Sequence, residues 1–392
     1  MYRILHTGMT PNYGGVEAVV MNWYRNIDRT KIQFDFLTRH DGPKLAYEQE
    51  ILDMGGHIYR EYYGRKEKPF IAGKYIQKIF ENDSSIKGVH MNLNTVEYIT
   101  PLKLAHKLGL PVEIAHSHNA GNLNGNEKIE TRLMQKINKR ILQLSQYQKF
   151  GCSKDACNYM FGEKNSATVI HNAIELEKFK YNDKKRVLLR EKYGIENDTI
   201  VIGFIGRIQY QKNPIFLIKI FEEFYKMYHD SRLILVGTGV MEDECKSLVR
   251  SYGLKNKVLF LGMQKETEDY YSMFDVFVLP SLFEGLGVVL VEAQANGVPC
   301  LVSNVIPDEV MITPLIEKHI LSDKPQYWAQ HLMKIVNEKM KDRKHNNYSN
   351  QLTLAGYDIK EEAKRLENIY ISVQISLFKS LKIALSSCTR NS

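Results

Sequence analysis

The stretch that decides the fold is LFEGLGVVLVEAQANGVP, residues 282–299. The apolar run Phe274–Leu279 stands before it and predicts a buried strand, which Pro280 ends. Val288–Asn296 then predicts a helix that Gly297 closes. Because a helix that starts directly after a strand offers free backbone N–H groups to an anion, the segment predicts a diphosphate site.

Two carboxylates, Glu284 and Glu292, flank this turn, one at its mouth and one more than a turn into the helix. Carboxylates do not attract phosphate, but they accept hydrogen bonds from sugar hydroxyls. Between them, Gly285, Leu286 and Gly287 form a turn whose glycines let a ligand approach the backbone. The pattern predicts a site for a sugar beside a diphosphate, although a surface helix with two solvated glutamates fits the spacing equally well.

Length and composition indicate a soluble protein of two domains. The 392 residues, 44% apolar and 25% charged, are typical of that class. MYRILHTG at the N-terminus reads as a first strand and not as a signal peptide, and no apolar run approaches the ~18 residues of a membrane span. Five cysteines without a CxxC pair favour reduced cytoplasmic thiols over a disulfide scaffold or a zinc site.

The net charge of +8 is unevenly distributed, because residues 1–180 carry +6 and the remainder +2. A basic half suggests an anionic partner: an anionic membrane surface, a phosphorylated acceptor or nucleic acid. No nucleic-acid recognition motif accompanies the charge, and +8 is modest for that task, so we expect no nucleic acid partner. A positive charge of +6 over 180 residues is also ordinary, so the charge alone does not require an anionic partner.

Strand-like and helix-like segments alternate, which predicts parallel sheets covered on both faces. We expect an α/β fold of two Rossmann-like doubly wound domains, 1–180 and 181–357, facing across a cleft, with a C-terminal helix at 358–392 packing back on the first. Lys180–Asp198 is charged and loosely patterned, and we interpret it as a linker leading into a short helix. The predicted strands are Arg3–Thr7, Gln33–Leu37, Gly88–Met91, Pro111–His116, Phe150–Cys152, Thr168–His171, Thr199–Ile205, Arg232–Val236, Val258–Leu261, Val276–Leu279 and Pro299–Val302.

The second domain opens with VIGFIGRIQYQKNP, residues 201–214. Arg207 and Lys212 follow the strand directly and precede a helix that Pro214 starts well. The arginine fork and the lysine point charge suit a diphosphate, although a solvated pair is commoner. LILVGTG, ending at Gly239, resembles a dinucleotide fingerprint. It lacks the third glycine and lies outside the first βα unit, so we reject nicotinamide binding.

The first domain has two candidate sites near strand ends. In YGGVE, residues 13–17, Gly15 and its neighbour let a phosphate or sugar lie against the backbone, although an ordinary turn is equally consistent. His116 and His118 share one face of a strand end. No third ligand stands nearby and the chain contains no D-x-D, so polar contact to a sugar or phosphate suits them better than a metal. A structural histidine is the usual alternative.

Two segments are candidates for surface docking. Ile58–Phe70 mixes aromatic and basic residues, and Arg132–Lys149 is a basic amphipathic helix of the kind that lies on anionic membranes. Such a helix also simply covers a core, which we favour slightly. The run 371–387 is amphipathic too, and either packs back on the first domain or contacts lipid.

Four segments, in this order and spacing, resemble the glycosyltransferases of family 4, the retaining nucleotide-sugar-dependent class with the GT-B fold. They are GGVE at 14–17, FGCSKDA at 150–156 with VIHNAIELEKF at 169–179, FIGRIQYQKN at 204–213, and EGLGVVLVEAQANGVPCLVS at 284–303, which matches an E-x7-E signature. The resemblance covers the chain to about residue 375. Within the family, the chain is most similar to bacterial exopolysaccharide and capsule enzymes of the EpsF type.

The resemblance implies roles for the residues above. Arg207 and Lys212 would hold the donor diphosphate and neutralise the leaving charge. Glu284 would contact the transferred sugar and Glu292 the ribose hydroxyls. Gly15 would approach the phosphate from the opposite domain.

Two positions match the family less closely. A histidine at the end of the strand at 112–116 would contact the sugar near the reacting carbon, and both His116 and His118 fit this place. Asn172 would lie at the crossover between the domains. Ala173 stands where the family often has glycine, which leaves the role of Asn172 open.

The implied activity is retaining transfer of a sugar, without metal or cofactor, from a UDP-hexose or UDP-N-acetylhexosamine to a lipid-diphosphate-linked oligosaccharide. Such an enzyme would be cytoplasmic and peripheral on the inner face of the cell membrane. One alternative is a UDP-sugar epimerase or hydrolase of the same fold. Another is a non-catalytic partner subunit of a glycosyltransferase, against which the presence of both glutamates and both cations argues.

Overall fold

The computed structural model describes residues 1–61, 69–121, 129–339 and 347–388 of the chain. The chain divides into two compact units, Met1–Ala173 with Ile359–Ser392 and Ile174–Asp358. Each unit is built on a parallel sheet, which confirms the predicted α/β class with two Rossmann-like domains. The predicted boundary at 180/181 lies seven residues after the observed division.

Unit 1 contains a seven-stranded parallel sheet. Its strands are β1 (Tyr2–Thr7), β2 (Ile32–Arg39), β3 (Ile58–Glu61), β4 (Ile86–Leu93), β5 (Val112–Ser117), β6 (Gln148–Gly151) and β7 (Thr168–Val169). They lie in the order β3-β2-β1-β4-β5-β6-β7. The helices between them are α1 (Gly15–Asn26), α2 (Glu48–Asp53), α3 (Pro69–Asn82), α4 (Thr100–Lys107), α5 (Ile129–Leu144) and α6 (Lys154–Phe161).

Both faces of this sheet are buried, because alternate strand residues enter different cores. Ile4 and Phe34 belong to one hydrophobic cluster, while their neighbours on the opposite face, Leu5 and Leu37, belong to the other. Double burial explains why these strands read as continuous apolar runs in the sequence.

Unit 2 contains a six-stranded parallel sheet. Its strands are β8 (Ile200–Ile205), β9 (Ser231–Val236), β10 (Val258–Phe260), β11 (Val276–Leu279), β12 (Cys300–Ser303) and β13 (Ile316–His319). Their order is β10-β9-β8-β11-β12-β13, which reverses direction between β8 and β11. The helices are α7 (Asp183–Lys192), α8 (Pro214–Met227), α9 (Glu242–Ser251), α10 (Glu268–Met273), α11 (Val288–Asn296), α12 (Pro325–Lys339) and α13 (Ser349–Leu354). Short 3-10 helices lie at Leu176–Phe179, Tyr210–Lys212 and Asp308–Val310.

The last helix, α14 (Ile359–Cys388), belongs to unit 1. Its side chains Leu366 and Tyr370 enter the same cluster as Trp23 of α1, so its first turns complete a core of unit 1. The structure describes no side chains beyond residue 373, which leaves out most of the amphipathic run at 371–387. Among the helices described, none combines the length and apolar character of a membrane span.

The segment Lys180–Asp198, interpreted as a linker, contains helix α7, which ion pairs hold against the sheet of unit 2. Arg186 and Arg190 lie 2.6 and 2.5 Å from the two carboxylate oxygens of Asp275, the residue before β11. Arg190 is 1% exposed, and this burial lowers its pKa despite the carboxylate. Removing one partner of a buried pair typically costs ~3–5 kcal/mol, so α7 is a structural element of unit 2.

The segment Ile58–Phe70, predicted as a docking surface, is described only in part, and its docking role stays a prediction. Its first four residues form the edge strand β3, paired with β2 from Phe36–Ile58 to Arg39–Glu61. Residues 62–68 lie outside the described part of the chain. The prediction missed β3 because the basic side chains of this segment masked its short strand pattern.

Candidate functional site

The reversal of strand order in unit 2 brings together two loops that carry predicted donor residues. The N–H of Leu282, after β11, donates to the Gln211 carbonyl, after β8, at 2.8 Å. The Gln211 side-chain amide in turn donates to the Phe283 carbonyl at 3.1 Å. Because ligands of open α/β sheets bind where the strand order reverses, this pair of loops is the candidate site of unit 2.

Lys212 and Glu284 form a close and largely buried ion pair within these loops. Lys212 Nζ lies 2.6 Å from Glu284 Oε1, and the two side chains are 13% and 5% exposed. The Ser281 hydroxyl donates to the same oxygen at 2.6 Å. No described group donates to Oε2 of Glu284, so this oxygen is available to a ligand hydroxyl.

Helix α11 begins at this site with an uncapped N-terminus. Its N-cap, Gly287, has a φ of 85°, a left-handed conformation that favours glycine. No side chain caps the first turn. The Leu290 N–H donates to the Gly287 carbonyl at 2.8 Å, so the N–H groups of Val288 and Val289 are the ones available to an anion. Gly285 and Leu286 are buried and lead the chain from Glu284 into this turn.

Glu292 lies one turn further along α11. Its carboxylate accepts a hydrogen bond from the Tyr271 hydroxyl at 2.5 Å. Burial raises the pKa of Glu292 to about 7, while the Tyr271 hydrogen bond and the charge of Lys212 act to lower it.

Arg207 follows β8, and its side chain is exposed. Its guanidinium makes no hydrogen bond or ion pair with any residue that the structure describes. The glycines of LILVGTG have a different role, because they allow the β9 loop to pack on this segment. A Cβ at Gly237 would lie 2.2 Å from the Gly206 carbonyl oxygen, and a Cβ at Gly239 would lie 2.1 Å from that of Ile208. The glycines therefore serve packing between these two loops.

In unit 1, the YGGVE segment forms the start of α1. Gly14 is the N-cap without any side-chain cap, and a Cβ at Gly15 would meet no atom within 4 Å. Glu17 folds back, and its Oε1 accepts hydrogen bonds from the Thr10 N–H at 3.0 Å and the Thr10 hydroxyl at 2.6 Å. Sequence reasoning missed this glutamate, which holds the loop and leaves space over Gly15.

Four histidine rings of unit 1 stack in a buried row. The centroid distances are 4.8 Å from His6 to His90, 5.2 Å from His90 to His116 and 4.2 Å from His116 to His118. Trp23 of α1 stacks on His116 at 5.4 Å. The sequence singled out only the last two histidines. A histidine toward the carboxyl end of each of three neighbouring strands, β1, β4 and β5, was the signal for the whole row.

Hydrogen bonds join this row to the last helix. His90 lies 3.0 Å from His116 and 2.6 Å from the Tyr370 hydroxyl of α14, through its two ring nitrogens. His118 lies 3.0 Å from Oδ1 of Asn92. Burial lowers the pKa of all of these histidines, to about 3 for His118, so the row is neutral at pH 7. His116 is 0% exposed and His118 8%, so His118 is the less enclosed of the two.

Asn172 is the second residue before the division between the two units, which falls after Ala173. It is 9% exposed, and its Oδ1 has no hydrogen-bond donor within the described residues. The adjacent Ala173 is fully buried, and its carbonyl accepts a hydrogen bond from Asn22 at 3.4 Å. The structure gives Asn172 an unsatisfied acceptor and no further role.

One group of potential metal ligands occurs in the described part of the chain, and it lies apart from the predicted donor residues. Asp35, His57 and Asp83 approach one another in unit 1. However, Arg3 donates to both carboxylate oxygens of Asp35, at 2.7 and 2.5 Å. The guanidinium already neutralises this carboxylate, so we assign no metal to the group.

Comparison with known proteins gives consistent matches. Residues 185–366 match the family model described as glycosyl transferases group 1. The Bacillus subtilis (strain 168) protein EpsF, a provisionally assigned glycosyltransferase, is 32% identical over 374 residues, which cover 94% of this chain and 96% of EpsF. The Escherichia coli UDP-Gal:alpha-D-GlcNAc-diphosphoundecaprenol alpha-1,3-galactosyltransferase is 25% identical, over 95% of this chain and 98% of that enzyme.

Solved structures support the fold. The Anabaena protein HepE, crystallised with UDP and glucose, superposes with a TM-score of 0.75 at 17% identity, over 95% of this chain and all of HepE. Sucrose-phosphate synthase from Thermosynechococcus elongatus gives the same TM-score at 19% identity, over 96% of this chain and all of that one. With its two parallel-sheet α/β domains and its near full-length match to EpsF, the chain belongs to the group 1 glycosyltransferases of the GT-B fold.

Proposed function

We propose that this protein is a retaining glycosyltransferase that moves a hexose or N-acetylhexosamine from a UDP-sugar to a lipid-diphosphate-linked oligosaccharide. The observation that carries the proposal is the buried pair of Lys212 and Glu284 beside the uncapped N-terminus of α11. The pair places a cation for phosphate and an acceptor for sugar hydroxyls within one pair of loops. These are the two kinds of contact that a nucleotide sugar needs.

The donor is bound, in this proposal, by the loops of unit 2. Arg207, Lys212 and the first N–H groups of α11 hold the diphosphate, so that two side-chain cations balance its charge without a metal or other cofactor. Glu284 accepts hydrogen bonds from the transferred sugar through Oε2, and Glu292 accepts them from the ribose. The same cations stabilise the charge that develops on the departing diphosphate.

In unit 1, we propose three residues for contact with the substrates. Gly15 leaves room for a phosphate over the backbone at the start of α1. We favour His118 over His116 for contact with the sugar, because His116 is enclosed by His90 and Trp23. Asn172 stays a donor-site prediction, supported by its unsatisfied Oδ1.

The mechanism we propose retains the anomeric configuration through attack on the face that the diphosphate leaves, with a diphosphate oxygen taking the proton of the acceptor hydroxyl. The C–O bond to the diphosphate breaks as the new glycosidic C–O bond forms. No described protein carboxylate is required as a nucleophile.

Relatives support the choice of substrates. HepE was crystallised with UDP and with glucose, and the Escherichia coli relative is named for UDP-galactose and an undecaprenyl-diphosphate acceptor. A Campylobacter jejuni relative, 30% identical over 32% of each chain, is also named for a diphospho-undecaprenol acceptor. By analogy with EpsF, we place this activity in exopolysaccharide or capsule biosynthesis. An acceptor of this kind would bring the protein, working in the cytoplasm, to the inner face of the cell membrane as a peripheral protein.

Nucleoside-diphosphate release tests the proposal. The purified protein is incubated with UDP-, GDP- and ADP-sugars, with and without a bacterial lipid-linked acceptor extract. We expect release from a UDP-sugar only when the extract is present, with the product keeping the anomeric configuration of the donor. Release without an acceptor would instead indicate the epimerase or hydrolase, and no release with any donor would favour the non-catalytic partner subunit.

A further inference from the structure

Helix α5 of unit 1 carries most of its apolar side chains on the side that faces solvent. Large hydrophobic residues of this helix are strongly exposed: Ile129 is 84% exposed, Leu133 58%, Met134 46%, Ile137 47% and Leu144 68%. Ile129, Leu133 and Ile137 are four residues apart, so they form one ridge along the helix. A ridge of this kind in contact with water marks a surface that has a partner.

The inner side of α5 is held by different residues. Thr131, Asn138 and Leu142 are buried, and the Asn138 side chain donates to the carbonyls of Val96 and Glu97 at 2.8 and 3.2 Å. These contacts attach the helix to unit 1 and do not involve its outer ridge. The apolar ridge is unnecessary for packing within the described part of unit 1.

A second row, of cations, runs beside the ridge. Arg132, Lys136 and Arg140 are also four residues apart, all exposed, and each lies three residues after a ridge residue. Residues three apart are neighbours on a helix surface, so the two rows lie side by side. Glu130 is the single acid among the 16 residues of α5. The fourth cation, Lys139, is turned toward the Tyr159 ring, 3.4 Å from its centroid.

We propose that the outer face of α5, formed by Ile129, Leu133, Ile137, Arg132, Lys136 and Arg140, docks on an anionic lipid bilayer. An apolar ridge flanked by cations matches a surface whose headgroups are negative and whose interior is apolar. A protein partner would have to combine the same two properties, and the excess positive charge of the first 180 residues favours the bilayer. This proposal rests on the proposed function in one respect: docking would bring the enzyme to a lipid-linked acceptor.

Vesicle binding tests this surface directly, because it requires neither donor nor acceptor. The intact protein is sedimented with vesicles of phosphatidylcholine alone and with vesicles in which roughly half of the lipid is phosphatidylglycerol. We expect binding to the anionic vesicles that weakens as salt is added. One variant combines Arg132→Gln, Lys136→Gln and Arg140→Gln, and another combines Leu133→Ser and Ile137→Ser.

Each cation near such a surface strengthens binding by roughly fivefold, so the triple variant should bind on the order of a hundredfold more weakly. The serine variant should also lose binding, while both variants melt like the wild type because their side chains are exposed. The matched controls lie in unit 2. Lys255→Gln with Lys265→Gln and Lys334→Gln removes the same charge, and Ile320→Ser with Leu354→Ser removes exposed apolar side chains. Neither control should change vesicle binding.

Three outcomes would overturn the proposal: no binding to anionic vesicles by the wild type, full binding by both α5 variants, or an equal loss in the controls. A wild-type dimer that Leu133→Ser with Ile137→Ser converts to a monomer, without change in vesicle binding, would assign the ridge to a second copy. Sugar transfer is measured separately on a short-chain, water-soluble acceptor. A protein that binds vesicles through α5 yet transfers no sugar would refute the proposed function and leave the docking surface standing.

Discussion

The donor loops of unit 2 and the histidine row of unit 1 occupy corresponding places in two similar folds, yet they are built in opposite ways. Lys212 and Glu284 come from two loops, carry charge and keep polar atoms available to a ligand. His90 and His116 come from neighbouring strands, are neutral and are fully buried. Similar sheets thus support a charged candidate site in one unit and a neutral, hydrogen-bonded layer in the other.

The difference teaches that position at the end of a strand does not define a role by itself. In unit 2, chemistry follows from charge and from the free N–H groups of α11. In unit 1, the row is linked through His90 to Tyr370, so most of its members maintain structure. Substitutions in the two units should therefore separate binding residues from supporting residues.

The largest effect is expected at Lys212. Replacing it with Met removes a cation that the proposal places on the leaving diphosphate, so kcat should fall about 100- to 1,000-fold, the usual effect of losing one transition-state contact. Steady-state sugar transfer measures this. The double variant Lys212→Met with Glu284→Gln leaves no unpaired buried charge and serves as the folding control. Wild-type turnover in Lys212→Met would remove this residue from the site.

The two histidines that the sequence left open should respond differently. His118→Ala should lower kcat about tenfold or more because a contact to the sugar is lost, in addition to the stability lost with its stack on His116 and its bond to Asn92. His116→Ala should instead destabilise unit 1 by about 2–4 kcal/mol, since it removes a buried ring, a hydrogen bond and a stack on Trp23. Thermal melting and transfer rates on both variants distinguish the two roles. The reverse pattern would make His116 the contact residue.

The raised pKa of Glu292 predicts a pH dependence of donor affinity. Ribose hydroxyls donate to the ionised carboxylate, so the Kd for UDP should rise as pH falls through about 7, by about tenfold between pH 8 and pH 6. Binding near pH 7 should release a proton, which titration in two buffers of different ionisation enthalpy detects. Glu292→Gln should bind UDP more weakly and without this pH dependence. An unchanged pH profile in that variant would place the titrating group elsewhere.

The raised pKa of Glu292 also makes the stability of the free protein depend on pH, in the opposite direction to donor affinity. Because the folded pKa of Glu292 lies above its ordinary value, the folded state holds the proton more strongly, and stability should fall as pH rises from about 4.5 to about 7. Chemical denaturation across this range shows the slope. Glu292→Gln should flatten it, and a slope that persists in the variant would be due to other groups.

The smallest effect is expected at Tyr370. Tyr370→Phe keeps the ring in the core and removes the hydrogen bond to His90, which should cost about 0.5–1.5 kcal/mol of stability. Transfer rates should stay within about twofold, because the proposed reaction uses no proton from this hydroxyl. A large fall in kcat without loss of stability would show that α14 takes part in the chemistry through the histidine row.

Much of the fold could be predicted because both sheets are buried on two faces, which makes most strands continuous apolar runs. The strand β13 escaped prediction because Ile316–His319 has one apolar residue in four. Helix α7 was underestimated because charged residues usually indicate solvent, whereas Arg186 and Arg190 are held by Asp275. That pairing joins positions more than 80 residues apart, which local pattern does not reveal.

The residues of the candidate sites could also be predicted only in part. The residues of the donor loops stand within two short segments, whose order in the chain predicts their proximity in a doubly wound sheet. The histidine row could be predicted only in part, because topology brings His6, His90 and Tyr370 to His116. The solvent exposure of the α5 ridge could not be predicted from the sequence. An amphipathic pattern indicates that a helix has an apolar side, but it does not indicate which side faces solvent.

The central claim is that the loops after β8 and β11 bind the nucleotide of the donor. Isothermal titration of UDP into the wild type and into Lys212→Met, with melting temperatures measured in parallel, tests it most directly. We predict a saturable single site in the wild type and an affinity about a hundredfold lower in the variant, with both proteins folded. Equal affinities for UDP in the two folded proteins, or no binding to the wild type, would contradict the account.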